Sequence, residues 1–566
     1  MLTQRGWWLL AILFGMLLAA TGLGASRLSV VAATLLIWFL AGWLRFAWIT
    51  RDVPRKLSVR REIRVGGPAV RVLWARQTAL VHVELHWNGT STLPYLLGVE
   101  RVPALAKWRS GEPWIRGPLS ATTQLTYEYE VNCVAAGSLV FHGVRVTVGD
   151  LQGFFHRPAF VRDRVTVRVL PPFVGRPRHA ATKKRHNILP LLGTHRLLRP
   201  GSGGDLLDLR DYVPSDPPKL IAWKASAKRD RLITKELESE VPVRCTLIVD
   251  ASSSTRVGPV GMNALARSVE VAAAVLYANT EKRDLTGLGL IDENGIGRVI
   301  RPARGRRNFF EMLHLLADVA DLPPANDQPD LGRLLPLGLG LAQDLYPDWL
   351  GREANGTPLT APSFWFNANR RRKKIAAILS HVYDLGPGGI MLLYHDDRLC
   401  HHYLDRWLND HRITHPILLY DEAGRYRFRS PAKIEHLAKV LLAGVSRGKD
   451  NELFVLLADL IDLETDLSPL LRAAKVALAR HHQVQIVCPW PTGVPLPDDH
   501  PPSPIVQIDD LQAILNKAWI GRLHPSYREI RKAFGGLGVT VIPAPSEQTV
   551  PRILESLRRL RTAGRR

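Results

Sequence analysis

The sequence predicts an α/β protein: a doubly wound, mostly parallel sheet, preceded by a β-sandwich and an N-terminal two-helix transmembrane hairpin. Three observations predict it. The first 50 residues are apolar and carry no acid and no Lys. Residues 57–172 alternate with period two between Gly and Pro breaks, the mark of half-buried antiparallel strands. From residue 244 onward, continuous apolar runs alternate with helical patterns, as buried parallel strands and their crossovers do.

Composition sets the limits. The chain has 566 residues, with 75 Lys+Arg against 52 Asp+Glu, a formal charge of +23. One compact core does not reach that length, so two to four domains are expected. Apolar residues make up 46% and charged residues 22%, which excludes disorder as the main state. Four cysteines exclude a disulfide scaffold. Cys133, Cys245 and Cys488 lie in apolar strand-like runs and read as reduced core residues. Basic runs at 183–185, 304–307, 370–374 and 558–566 are scattered, and no nucleic-acid recognition motif accompanies them. They read as solvated or lipid-facing surface, without a nucleic-acid partner.

The N-terminal apolar runs are 7–24 and 28–48, joined by Ala25-Ser26-Arg27. A span needs roughly 20 residues, so each run is long enough and the pair forms a hairpin. A cleaved signal peptide followed by one span is the alternative. Arg51, Arg55, Lys56, Arg60, Arg61 and Arg64 follow the second run, whereas the hairpin loop holds only Arg27. The positive-inside rule then puts both termini in the cytoplasm.

The next region, 51–175, reads as a sandwich of six or so strands with no catalytic constellation. In the α/β part, strands are expected at 244–250, 285–292, 452–460, 483–489 and 539–544. Helices are expected at 262–282, 308–320, 467–480, 511–534 and 550–561. No Walker loop and no dinucleotide fingerprint is present. Gly201-Ser202-Gly203-Gly204 reads as a flexible turn.

Ligands of such sheets sit at the carboxyl ends of strands. The first strand ends in Asp250-Ala251-Ser252-Ser253-Ser254. One carboxylate and two hydroxyls from a strand-end loop are hard oxygen ligands suited to Mg²⁺ or Mn²⁺. Asp459 ends another strand on the same edge, with Asp462 close behind. The expected metal ligands are therefore Asp250, Ser252, Ser254 and Asp459. The plain alternative is a helix N-cap cluster.

These residues resemble the von Willebrand factor type A fold and its metal-ion-dependent adhesion site. More closely, the chain resembles the bacterial membrane proteins of the domain of unknown function 58 family. That family's signature corresponds to Leu209-Arg210-Asp211-Tyr212, Ser215-Asp216 and Ile221-Ala222-Trp223-Lys224-Ala225-Ser226-Ala227-Lys228. Asp150-Leu151-Gln152-Gly153-Phe154-Phe155 is similar to the family's Asp-Pro-Phe-Gly-Leu-Phe turn. Two departures stand out: Ser215 replaces a Gly, and Lys228 an Arg. The third-loop Thr of the type A metal site falls on Pro329 of Gln328-Pro329-Asp330-Leu331, leaving Asp330 as the substitute.

The resemblance implies a binding module and not an enzyme. It implies an adaptor or co-chaperone of the bacterial inner membrane that works with a MoxR-type AAA+ ATPase on a client protein the sequence does not name, the metal-ion-dependent adhesion-like site presenting a metal-completed surface to a partner's carboxylate. Arg210, Tyr212, Asp216 and Trp223 would brace a domain junction, with Lys224 and Ser226 as further members of the family motif; recognition is the alternative role. The rival to the adaptor is an inner-membrane scaffold with a degenerate metal site, which Pro329 favours. A third reading is a hydrolase using His395 with Asp396 or Asp397, although no nucleophile is placed beside them.

Residues 322–450 read as an inserted small α/β lobe. Residues 323–362 read as linker with a short helix, 388–397 and 414–420 as strands, and 375–383, 399–411 and 434–445 as helices. The lobe holds His381, His395, Asp396, Asp397, Cys400, His401, His402, His411 and His415. Their spacing lacks the Cys/His pairs of structural zinc, so a polar surface helix is expected. The expected organisation is 1–50 hairpin, 51–175 β-sandwich, 176–243 signature region, 244–321 with 451–566 α/β domain, and 322–450 insertion.

Overall fold

In the computed structural model the described residues are 2–172, 196–240, 243–258, 260–321, 330–346, 364–386, 388–413, 415, 432–448, 452–461, 466–491, 494–496, 511–544, 551–553 and 555. They fall into two units. One comprises residues 1–169 and 328–416; the other comprises 170–327 and 417–566.

The first unit opens with α1 (Gln4–Gly22) and α2 (Ser26–Thr50). At 1.5 Å per residue they run about 28 and about 37 Å, close to or beyond a bilayer's hydrocarbon thickness. Both are long and apolar enough to cross a membrane. Much of their apolar surface stays open: Trp8, Ile12, Ile37 and Trp48 are all more than half exposed, whereas Leu13, Phe39 and Phe46 are buried. Thr3 caps α1, its hydroxyl accepting from the Gly6 amide at 3.1 Å.

After the short α3 (Val53–Lys56) come β1 (Leu57–Arg64), β2 (Val72–Trp74), β3 (Thr78–Trp87), β4 (Leu93–Val99), β5 (Ala106–Gly111), β6 (Trp114–Leu119), β7 (Gln124–Cys133), β8 (Gly137–Gly149) and β9 (His156–Leu170). They build a sheet of order β1-β3-β7-β5 and a second of order β2-β9-β8-β4-β6. The alternation seen in the sequence is literal in β3, where Ala79, Val81, Val83, Leu85 and Trp87 are buried and the residues between them are not. These side chains share one core with Leu139, Phe141, Val144, Val146 and Val167 of the other sheet, so the two sheets form a sandwich.

The second unit begins with the antiparallel pair β10 (Arg196–Asp211) and β11 (Ile233–Glu240), with α4 (Trp223–Arg229) between them. Gly201–Gly204 lies within β10, where the register shifts between Gly201 and Leu206; the expected turn is a bulged strand. Next come β12 (Arg244–Asp250), α5 (Ala264–Glu281), β13 (Leu285–Asp292), β14 (Gly295–Ala303) and α6 (Arg306–Asp321). The antiparallel β14 was not expected. It turns back from β13 through Gly295, whose φ of +135° suits glycine alone.

The chain then returns to the first unit as α7 (Leu331–Leu345), α8 (Phe364–Tyr383), α9 (Gly389–His395) and α10 (Asp397–Asp410). It re-enters the second unit with α11 (Ala432–Arg447), β15 (Glu452–Leu457), α12 (Ser468–Ala479), β16 (Gln483–Pro489), α13 (Leu511–Gly535) and β17 (Thr540–Ala544). The resulting sheet has order β14-β13-β12-β15-β16-β17, parallel except at the β13–β14 edge. Helices α11, α12 and α13 share one core with Ile248, Phe454, Leu456 and Ile486. The alternate positions Leu247, Val249, Val455 and Leu457 are buried too, so both faces are covered.

The insertion departs from expectation. Its described residues are helical, and the predicted strand at 388–397 is α9. A short apolar run does not by itself distinguish strand from helix, and Met and Leu favour the helix. Helices α7 to α10 pack into one cluster around Trp407, Leu404, Ile375 and Leu379, with Phe160 of β9 against it. Arg412 ties them to the sandwich by donating to the carbonyls of Val102 and Ala106 at 2.9 and 3.0 Å. The expected strand at 414–420 lies outside the described residues apart from His415, as does most of the expected helix at 550–561. Helix α11, assigned by sequence to the insertion, is part of the second unit.

Candidate functional site

The carboxyl ends of β12 and β15 are neighbours because the strands pair in parallel, with Val249 opposite Leu457. That register sets Asp250 beside the turn at Asp459. Asp250 Oδ1 accepts from the Ser252 amide at 3.0 Å, and Oδ2 from the Asp459 amide at 3.3 Å. The hydroxyls of Ser252 and Ser254 are 3.1 Å apart. Asp250, Ser252 and Ser254 are all buried. The four residues singled out by sequence therefore meet, with Asp459 contributing backbone groups.

A fifth residue completes the cluster. Lys433, in the first turn of α11, places Nζ 2.5 Å from Asp250 Oδ2. The same ammonium donates to Ser254 Oγ at 3.1 Å and to the Asp459 carbonyl at 2.7 Å. Lys433 is only 1% exposed. Burial pushes the Asp459 carboxyl above the usual carboxylate range; the Lys433 ammonium opposes this and the Asp250 charge adds to it.

Two further groups shape the loop. The Ser253 amide donates to Glu293 Oε1 at 2.5 Å. Arg256 donates to the carbonyls of Ala251 and Val319 at 3.1 and 3.0 Å. Sequence reasoning missed Lys433, Glu293 and Arg256. The one local signal at Lys433 is a cation in the first turn of an amphipathic helix, where the helix dipole favours an anion.

A divalent ion of the Mg²⁺ kind wants about six oxygens at about 2.0–2.1 Å. Here the Asp250 and Ser254 oxygens already face an ammonium. With Lys433 seated, this donor set does not fit such an ion. Among the described residues no group of three or more His, Cys, Asp or Glu could hold a metal. Gln328, Pro329 and Asp462 lie outside the described residues. Asp330 belongs to the other unit, where it pairs with Arg333 at 3.4 Å.

The signature motif forms a tight local frame. Arg210 donates to Asp216 Oδ1 at 2.6 Å and pairs with Glu236 at 2.8 Å. Asp216 Oδ2 also accepts from the Val213 amide at 3.0 Å and from Thr234 Oγ1 at 3.1 Å. The Val213 amide, then Arg210, hold the Asp216 carboxyl below its usual range. Ser226 is buried; its hydroxyl donates to the Ala222 carbonyl at 3.1 Å and accepts from the Ile233 amide at 2.9 Å. The Tyr212 amide donates to the Leu232 carbonyl at 2.9 Å. Trp223 is different. It is 66% exposed, and Lys224 beside it is exposed as well. Burial of Trp223, as bracing requires, is not what this residue does; its neighbours hold the frame.

In the insertion, His395, Asp396 and Asp397 line an open cleft of about 540 Å³. Their carboxylates have structural work. Asp396 caps α10, accepting from the Arg398 and Leu399 amides at 2.9 and 3.1 Å. Asp397 pairs with Arg372 at 2.5 Å. His415 pairs with Asp405 at 2.6 Å, while His142 of β8 bonds Asp410 at 2.9 Å and stacks on His411. Cys400, expected on a polar surface, is buried like the other three cysteines.

Residues 208–336 match the family described as Protein of unknown function DUF58. The uncharacterized protein YeaD of Bacillus subtilis (strain 168) is 29% identical over 226 residues, 39% of this chain and 52% of that protein. The chain thus spans about half the length of this curated relative. Among solved structures, native alpha-2-macroglobulin from Escherichia coli aligns over 20% of this chain and 24% of that one, at 13% identity and a TM-score of 0.16. The GH20 exo beta-N-acetylglucosaminidase of Vibrio harveyi aligns over 76% of this chain and 81% of that one, at 10% identity and a TM-score of 0.12. Scores this low carry no conclusion about fold or function.

Proposed function

We propose that the chain is a membrane-anchored, cytoplasmic protein-binding adaptor of the domain of unknown function 58 family. Its second unit would be a von Willebrand factor type A-like domain, and its partner a MoxR-type AAA+ ATPase, as the sequence resemblance implies. Three features support this reading: the two apolar N-terminal helices, the basic segment after them, and the family match over the signature region.

The observation that carries it is Trp223. A motif whose polar members are spent on holding its own shape leaves its one tryptophan outside, 66% exposed. Val213 and Leu232 of the same region are also 47% and 45% exposed. Large aromatics left on a surface are the residues that anchor protein partners. The frame of Arg210, Asp216, Glu236 and Ser226 then serves to present Trp223, and the partner contact is direct.

The alternative is the inner-membrane scaffold without an ATPase, favoured by the closed state of the strand-end cluster. Affinity capture from detergent-solubilised membranes separates the two. Wild type and Trp223→Ala are compared, each with Mg²⁺ and with a chelator. An AAA+ ATPase held by wild type and depleted at least ~10-fold by Trp223→Ala supports the adaptor. The same partners in equal amount from both proteins would sink it and leave the scaffold.

A further inference from the structure

We propose that Lys433 is the built-in cation of the β12–β15 strand-end site. Its ammonium stands where a divalent ion was expected, so the site takes no metal and offers no metal-bridged contact to a partner's carboxylate.

The valence fits. An ammonium has three N–H donors. Here they meet Asp250 Oδ2 at 2.5 Å, Ser254 Oγ at 3.1 Å and the Asp459 carbonyl at 2.7 Å. These are the carboxylate, the hydroxyl and the second strand end that a metal would have used. The charge fits as well. Lys433 neutralises Asp250 one for one, and a divalent ion added beside it would bury like charges together in a site closed to water.

Access argues the same way. An adhesion site must keep a ligand position open to its partner, yet Asp250 and Ser252 are 0% exposed and Ser254 only 7%. Placement gives the last argument. A fully buried lysine is rare unless paired, and the first turn of a helix disfavours a cation. Ile434, Leu437 and Leu441 bury the adjoining face of α11 and fix the backbone from which Lys433 reaches in. The proposal is independent of Trp223, which can bind a partner whether or not this site holds metal.

The test uses the full chain in detergent micelles. Mn²⁺ uptake is read by loss of the free-ion electron paramagnetic resonance signal, and thermal unfolding is followed with Mn²⁺ or a chelator. Wild type should take up no Mn²⁺ and melt alike in both conditions. Lys433→Met, folded by circular dichroism, should take up one equivalent at least ~10-fold more tightly than wild type and melt higher with Mn²⁺. The pair Lys433→Met/Asp250→Asn should lose that response. The proposal is overturned if wild type binds one equivalent that Asp250→Asn abolishes. It is overturned equally if a folded Lys433→Met ignores Mn²⁺. Should Lys433→Met not fold, the wild-type titration with its Asp250→Asn control decides the matter alone.

Discussion

Single charged residues inside this protein act as cross-links. Arg61 of β1 has no exposed side-chain surface, pairs with Glu100 at 2.7 Å and with Asp163 of β9 at 2.8 Å, and lies 4.9 Å from the Phe141 ring centroid. One guanidinium thereby joins both sheets of the sandwich. Burial pushes the Glu100 carboxyl up, and Arg61 pulls it back. His415 does similar work at the end of the insertion. Its pairing with Asp405 at 2.6 Å raises its pKa from the ordinary 6.5. A raised folded pKa stabilises the fold fully below the unfolded value and stops doing so as pH rises through the folded one. His415→Asn should therefore lower the melting temperature near pH 5.5 and approach wild type near pH 9. An equal loss at both would show that packing, not charge, is what His415 supplies.

At the scale of elements, the turn from Asp150 to Phe155 joins the sandwich to the N-terminal helices. Asp150 Oδ1 accepts from the Phe155 amide at 2.8 Å and closes the turn. Thr3 then grips it, donating from its amide to the Phe154 carbonyl at 2.9 Å and from its hydroxyl to the Gly153 carbonyl at 2.6 Å. The Phe155 ring sits 5.2 Å from Phe39 and 5.7 Å from Phe46, both on α2. Gly6 is required at the contact, because a Cβ there would lie 2.4 Å from the Phe154 carbonyl oxygen. Phe155→Ala should cost about 3–5 kcal/mol of local stability. Hydrogen exchange at residues 149–156 should rise while β12 and β15 stay protected. No change in that turn would mean that Thr3 alone holds it.

For the whole molecule, the charge of +23 and the two open apolar helices make one statement about place. Under the proposed membrane anchoring, a bilayer would cover the open apolar faces of α1 and α2, and the exposed Arg51, Arg55 and Lys56 would meet anionic headgroups, whereas Arg61 is spent inside the sandwich. Alkaline carbonate should then leave the chain in the membrane pellet, and high salt should release none of it. Release by carbonate would reduce the helices to a surface attachment.

Local pattern determined much of this. The apolar runs 7–24 and 28–48 became α1 and α2, Gln4–Gly22 and Ser26–Thr50, with each end displaced by two or three residues, because a long uninterrupted apolar run satisfies its backbone as helix. Period two became the sandwich, since side chains on a strand alternate faces. The continuous runs became β12, β13, β15, β16 and β17, and their parallel pairing brought Asp250 to Asp459 as the strand-end rule expects. What the sequence did not reveal depends on partners distant in the chain. The apolar run at 388–397 folds as helix α9, and Arg412 docks the insertion on carbonyls more than 300 residues earlier. Lys433 lies 183 positions beyond Asp250, on a helix whose pattern reads as ordinary. Periodicity reports which face of an element is buried, not which charge it will meet there. Only the packing of α11 beside β12 and β15 decided that the Asp250 carboxylate would face an ammonium of its own chain.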